Sequence, residues 1–250
     1  MKRILIAQTG SVGPDVAGRF GDFSHWFARL LEGRAEAVVG RSPAEWAALE
    51  PFHGVIVTGS FASVTAPEPW MVELSARLLD VAGTRPVLGV CFGHQLLARA
   101  LGARVERNPR GLEAGACEVR LTAAGQADPL FAGVPERFLA HELHEDHVPE
   151  LPPGAVLLAG NAMSPVQAFA RGNLRCIQFH PEIDLARARF FAERDRADHD
   201  RRVPGGSGAV RASLAETPEA VHCLHNWLAR FVGAAAPLPT GELRCASSTP

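Results

Sequence analysis

The first hundred residues alternate between short, continuously apolar runs and segments whose apolar residues recur every three or four positions. "RILIA" (3–7) reads as a strand. In "FSHWFARLLEG" (23–33), Phe23, Trp26, Phe27, Leu30 and Leu31 fall on one helical face, and Gly33 supplies a stop. "AEAVVG" (35–40) and "GVIVTGS" (54–60) read as a second and a third strand. "PWMVELSARLLDVAG" (69–83) has proline at its start and glycine at its end, as a helix does. "PVLGVC" (86–91) is a fourth strand, and "FGHQLLARALG" (92–102) is a helix closed by Gly102. Strands without a polar face, separated by helices, predict a mostly parallel sheet covered on both sides and joined by right-handed crossovers.

From about residue 103 the period changes. "ARVERN", "ACEVRL", "RFLAHEL", "AVLLAG", "PVQAFA" and "LRCIQFH" are short strand candidates broken by Gly, Pro and Asn, which predicts an antiparallel, hairpin-rich section. Helices are expected near 183–197 and 217–233, with the polar, glycine-rich "DHDRRVPGGSGAVR" (198–211) between them as a loop. No repeat and no linker is evident. The expectation is one α/β domain of three layers over residues 1–236, followed by a flexible tail over 237–250.

Composition narrows the function. With 47% hydrophobic and 21% charged residues among 250, the chain can bury a sizeable core and is not of a disordered class. A net charge of −2 with no basic block speaks against nucleic-acid or membrane-surface partners. No apolar run reaches the roughly 18 residues that a membrane helix needs. "MKRILIAQTG" is too short in its apolar part for a signal segment and lacks a cleavage pattern. The five cysteines are odd in number, widely spaced and form no C-x-x-C, so a cytoplasmic, reducing setting is expected.

The chemistry starts at "GVCFGHQLLA" (89–98). Ligands of α/β sheets bind at the carboxyl ends of strands, and Cys91 lies at one. A residue on a sharp strand-to-helix turn is strained and needs very small neighbours two positions away, which Gly89 and Gly93 are. G-x-C-x-G is thus the cysteine form of the nucleophile elbow. The helix start beyond it offers unpaired N–H groups and a positive dipole end, which favour a thiolate and an oxyanion. Such a nucleophile needs a base, and the base needs an orienting acid. "QFHPE" (178–182) supplies both, since His180 and Glu182 at i, i+2 on an extended segment point the same way. A buried structural cysteine remains the alternative for Cys91 alone; the pairing of the two motifs about 90 residues apart favours catalysis.

These two segments resemble the class I, triad-type glutamine amidotransferases, over roughly residues 50–182. The resemblance implies a flavodoxin-like αβα fold and a Cys–His–Glu triad of Cys91, His180 and Glu182 that cleaves a γ-glutamyl amide through a thioester. "VTGSFASV" (57–64) is similar to the family's oxyanion strand, with Ser60 and Phe61 where a glycine and a proline are usual. The implied oxyanion donors are the backbone N–H groups of Ser60 and Phe92, beside Gly59. Gln95 matches a substrate-contacting position, and Leu143, His144 and Asp146 in "LHEDHVPELP" (143–152) match the stretch that receives the substrate's amino-acid end.

In "HELHEDH" (141–147) a metal site is disfavoured, because the zinc-protease pattern needs a helix and Pro149 and the strand-like surroundings oppose one. No metal and no cofactor is expected. "GLEAG" (111–115) is a candidate turn at the pocket edge. Neither a P-loop nor a synthetase domain is evident. The expected chemistry is γ-glutamyl amide hydrolysis, on glutamine or on a γ-glutamyl compound, as in the stand-alone GMP-synthase-like and γ-glutamyl-peptidase-like branch. The alternatives are a glutaminase subunit feeding ammonia to a separate synthetase, and a non-catalytic binding module on the same fold.

Overall fold

The computed structural model describes residues 1–233. The expected tail over 237–250, with Cys245, lies outside them. In chain order the elements are β1 Arg3–Ala7, α1 Pro14–Phe20, α2 Phe23–Leu31, β2 Glu36–Gly40, α3 Pro43–Leu49, β3 Gly54–Val57, α4 Pro69–Ala82, β4 Val87–Val90 and α5 Phe92–Ala100. They continue with β5 Glu106–Arg107, β6 Glu113–Leu121, α6 Ala123–Ala127, β7 Arg137–His144, β8 Asp146–His147, β9 Val156–Gly160, β10 Ala168–Arg171 and β11 Leu174–Ile177. The helices α7 Leu185–Arg194, α8 Arg196–Arg202, α9 Gly206–Ser213 and α10 Pro218–Trp227 follow, with a 3-10 turn at Pro129–Phe131 and a π-helical turn at Leu228–Val232 left unnumbered.

One nine-stranded sheet runs in the order β2-β1-β3-β4-β11-β10-β9-β6-β7, and β5 pairs with β8 apart from it. The strands from β2 to β11 are parallel in the flavodoxin-like order. From β11 outward the pairing is antiparallel, so the antiparallel section continues the parallel sheet rather than standing beside it. The three layers follow from the two-residue alternation of each strand. Ile4, Ile6, Ile56, Leu88 and Val90 face one side and pack with Phe27 of α2 and Leu224 of α10. Leu5, Val55, Val57 and Val87 face the other, against Leu78 of α4 and Leu97 of α5.

Three segments differ from the sequence expectation. β11, expected within the hairpin-rich section, pairs parallel with β4 on one side. The polar stretch 198–211, expected as a loop, folds as the end of α8 and most of α9. "GLEAG" is only partly a turn: Gly111 turns the chain at φ 101, and Glu113 already begins β6. The last two features explain each other, because α8 and α9 lie on this segment. A side chain at Gly111 would stand 2.4 Å from the Arg202 carbonyl, and one at Gly115 would stand 2.3 Å from Ser213 Oγ.

Candidate active site

β4 ends at Val90 and α5 begins at Phe92, so the whole connection is Cys91. It sits at φ 51, ψ −102, and is the one non-glycine residue with positive φ among those described. Such backbone costs on the order of 1–3 kcal/mol and persists only where its surroundings over-determine it. Here the Cys91 N–H donates to the Ile177 carbonyl at 2.9 Å, and its own carbonyl accepts from the Gln95 N–H at 3.0 Å. The flanking glycines are steric necessities. A Cβ on Gly89 would stand 2.8 Å from the Gly93 carbonyl oxygen, and one on Gly93 would stand 2.7 Å from that of Val57. Their absence lets α5 start hard against β3 and β4.

His180 follows β11, the neighbour of β4 in the sheet. Its Nδ1–H donates to Glu182 Oε1 at 2.7 Å, which assigns the tautomer and turns Nε2 away from the acid. Nε2 is buried without a completed hydrogen bond in this rotamer. The Cys91 thiol is close enough to act on the imidazole. Burial pulls His180 down, but the Glu182 carboxylate and Cys91 outweigh it and hold the imidazole well above its ordinary range. Gly59 lies between the two side chains: a methyl group there would stand 3.4 Å from His180 Cε1 and 3.8 Å from Cys91 Cβ.

Gly59 and Ser60 follow β3, on the other side of β4. The Ser60 hydroxyl donates to the Thr9 carbonyl at 3.1 Å and accepts from the Ala62 N–H at 3.1 Å. Serine in place of the usual glycine therefore braces this loop against the end of β1. Phe92 is the first residue of α5, so its N–H has no partner within the helix. Three adjacent strands, β3, β4 and β11, thus deliver every group of the expected triad and oxyanion site to one edge.

Of these, Gly59, Ser60, Cys91 and His180 line a cavity of about 570 Å³, together with Gln95, Leu143, His144 and Asp146. Gln95 is also a brace: its Nε2 donates to the Asp146 carbonyl at 2.7 Å and to Gln178 Oε1 at 3.1 Å. His141 faces elsewhere, with Nδ1 against the Ile183 carbonyl at 2.7 Å, and holds the chain just past Glu182. The outer wall, unforeseen in the sequence, comes from α7 and α8. Arg202 reaches from α8 to Glu145 at 3.1 Å and ties that wall to the β7–β8 turn.

A second group of titratable side chains lies behind the cavity. His144 Nδ1 faces the Asp146 carbonyl at 2.9 Å, and Nε2 is 3.1 Å from both Glu113 Oε2 and Glu142 Oε2. Burial alone would lower His144, but the two carboxylates push it up to about 10. Burial, with Glu113 beside it, pushes Glu142 up to about 7. Glu113 is buried too, yet His144, Asn161 and Ser164 hold it below the ordinary carboxylate range. Neither glutamate was singled out by the sequence reading. The available signal was an acid in each of two strand-like segments.

Residues 23–192 match the family described as Glutamine amidotransferase class-I. The chain is 32% identical over 213 residues to gamma-glutamyl peptidase 4 of Arabidopsis thaliana, covering 80% of each. It is 40% identical over 141 residues to the glutamine-hydrolyzing GMP synthase of Thermomicrobium roseum, covering 56% of this chain but 25% of that protein. In fold it is similar to a glutamine amidotransferase of Thermotoga maritima, with a TM-score of 0.71 at 20% identity over 92% of this chain and 98% of that one.

Proposed function

The chain belongs to the class-I glutamine amidotransferase family, and from that premise we propose that it hydrolyses the γ-amide bond of glutamine or of a γ-glutamyl compound through a Cys91 thioester. The observation that carries the reading is the positive-φ turn at Cys91 beside a histidine whose Nδ1 is held by Glu182 at 2.7 Å. Nucleophile, base and orienting acid then stand in the order such catalysis needs.

In this mechanism Cys91 Sγ attacks the γ-carbonyl carbon and its proton passes to His180 Nε2. The negative charge that develops on the carbonyl oxygen is met by the N–H groups of Ser60 and Phe92. His180 returns the proton to the leaving nitrogen, and the C–N bond breaks to give ammonia or an amine and the γ-glutamyl thioester. Water, deprotonated by His180, then attacks the thioester and releases glutamate and the Cys91 thiol. Glu182 holds the ring in place and stabilises the imidazolium. Leu143, His144 and Asp146 border the space where the amino-acid end of the substrate would lie. The cavity continues past them to Phe61, Leu112 and Phe191, which favours a leaving group larger than ammonia.

A second reading is a glutaminase that passes ammonia to a separate synthetase. It is favoured by the match to one quarter of a GMP synthase. The deciding experiment offers the purified protein L-glutamine and a panel of γ-glutamyl peptides and amides, and measures glutamate. Turnover of a panel member, lost in Cys91→Ala, supports the hydrolase. Silence throughout, with Cys91 still labelled by a glutamine-like electrophile, favours the partner-dependent reading. Silence with Cys91 no more reactive than a free thiol would refute both and leave a binding module.

A further inference from the structure

The buried Glu113–Glu142–His144 cluster has no part in the triad chemistry, and one of its acids is left without partners. The side chains of His144 and Glu142 are 2% and 0% exposed. Two carboxyl groups buried beside one histidine need hydrogen-bond partners or a ligand to offset their removal from water. Glu113 is well provided for: Asn161 Nδ2, Ser164 Oγ and Gln167 Nε2 donate to it at 2.6, 3.1 and 3.1 Å. Glu142 is not. Both its oxygens are buried without a completed hydrogen bond, and Oε2 points into the cluster at His144 Nε2.

We propose that Glu113, Glu142 and His144 form a binding site for a divalent cation of the zinc class. The geometry fits. One donor atom from each residue lies within 4.8 Å of the other two. The 3.1 Å spacings from His144 Nε2 to the two carboxylate oxygens are close to the ~3.3 Å that separates tetrahedral ligands at about 2.0–2.1 Å from zinc. The surroundings fit as well. A metal-bound histidine is normally fixed through its other ring nitrogen by a carbonyl, as His144 Nδ1 is by Asp146 at 2.9 Å. Glu113 carries the outer hydrogen bonds expected of a ligating carboxylate. A doubly charged ion would offset both carboxylates, and its binding would release any proton held at the ligand atoms. A surface groove bordered by Glu113, Cys117, Asn161 and Met163 gives an approach from solvent.

The two strands explain why these three residues meet. In the β6–β7 register Glu113 lies opposite His144, and Gly115 lies opposite Glu142. The cation would therefore clamp the hairpin that carries Leu143 and His144 along the cavity. Its role is to hold that wall, separate from the Cys91 chemistry.

The test uses the full chain in a Cys91→Ala background, so that the Cys91–His180 pair offers no competing thiolate site. Zinc content of the purified protein is measured by elemental analysis. Zn²⁺ affinity is measured calorimetrically after chelation, and Tm with and without the metal. One zinc per chain, a Tm lowered by chelation and restored by Zn²⁺, and a loss of affinity in Glu142→Gln of at least the 10–100-fold typical of an outer-shell change are expected. Glu142→Met, apolar and of similar size, provides a second variant with the same expected loss should the glutamine variant fold poorly. Binding unaffected by either substitution, or a Cys91→Ala chain without further substitution that takes up no zinc and shows no response of Tm, would overturn the proposal.

Discussion

His180 and His144 are both buried, both face carboxylates and both are pushed above the ordinary histidine range, yet they are connected in opposite senses. His180 spends Nδ1 on Glu182 and leaves Nε2 toward Cys91 and the cavity. His144 spends Nδ1 on a backbone carbonyl and turns Nε2 onto two glutamates. Basicity does not distinguish them, and neither does burial. The distinction is which nitrogen the acid occupies. An acid behind the ring makes a base that can reach a substrate, whereas acids in front of the ring close it off and make a tether.

The largest expected effect breaks the first of these arrangements outright. Cys91→Ala should lower γ-glutamyl turnover by several orders of magnitude, as loss of a nucleophile does; near-normal glutamate release from that variant refutes the mechanism. Next comes the acid behind His180. Glu182→Gln should reduce kcat by about 10²–10⁴-fold with little change in KM. It should also move the His180 titration, followed by NMR, downward, because the Glu182 carboxylate is the largest influence raising it. The sign for stability follows. A histidine raised in the folded state stabilises most below its unfolded value of about 6.5, and that stabilisation fades as pH rises through the folded value. Denaturation should therefore show a larger deficit for Glu182→Gln at about pH 6 than at about pH 9.

The acids in front of His144 predict the opposite profile. His144→Asn strands two buried carboxylates and should cost on the order of 3–5 kcal/mol in denaturant unfolding. Any activity loss should be felt mainly in KM, through the cavity wall. A fall confined to kcat would erase the contrast drawn above. Gly93→Ala forces a methyl group against the Val57 carbonyl and should cost about 1–3 kcal/mol, as overpacking does, with activity falling as the elbow is displaced. Ser60→Gly should do least. It removes two hydrogen bonds at the loop, each worth about 0.5–1.5 kcal/mol, and leaves the backbone N–H in place. Turnover reduced by orders of magnitude in that variant would show that the hydroxyl has a direct part in the chemistry.

Strands β1, β3 and β4 of the parallel half were legible because they are apolar on both faces, and α2, α4 and α5 because each declares its stripe; α3, which buries only Trp46, was not. Ile4, Ile6, Val55, Val57, Leu88, Val90, Leu96, Leu97, Ile177 and Phe179, the core expected from that pattern, are all buried. The approach of Cys91 to His180 was legible because both residues end strands and the glycines announce a tight turn. The helices α8 and α9 were not. α8 buries only His199, and α9 only Ser207 and Val210, so neither shows an apolar stripe. Polar contacts hold them, among them Asp200 Oδ1 accepting from the Ser207 N–H at 2.8 Å and Arg202 bonded to Asp198 at 2.6 Å. Gly111 and Gly115 were the overlooked sign, being the places where those helices press on β6. The glutamate–histidine cluster was hidden for another reason. It depends on the β6–β7 register, which pairs residues some thirty positions apart and leaves no trace in local periodicity.

The backbone at Cys91 carries a consequence for how such a sequence drifts. At φ 51 a side chain is tolerated and glycine is at ease. Cys91→Gly should therefore relax the turn and offset part of the strain of about 1–3 kcal/mol, giving a chain at least as robust as its parent and without a nucleophile. Thermodynamic selection alone favours that loss. A lineage that retains cysteine at this turn does so against the preference of its own fold, and a catalytically silent descendant is the easier one to keep folded.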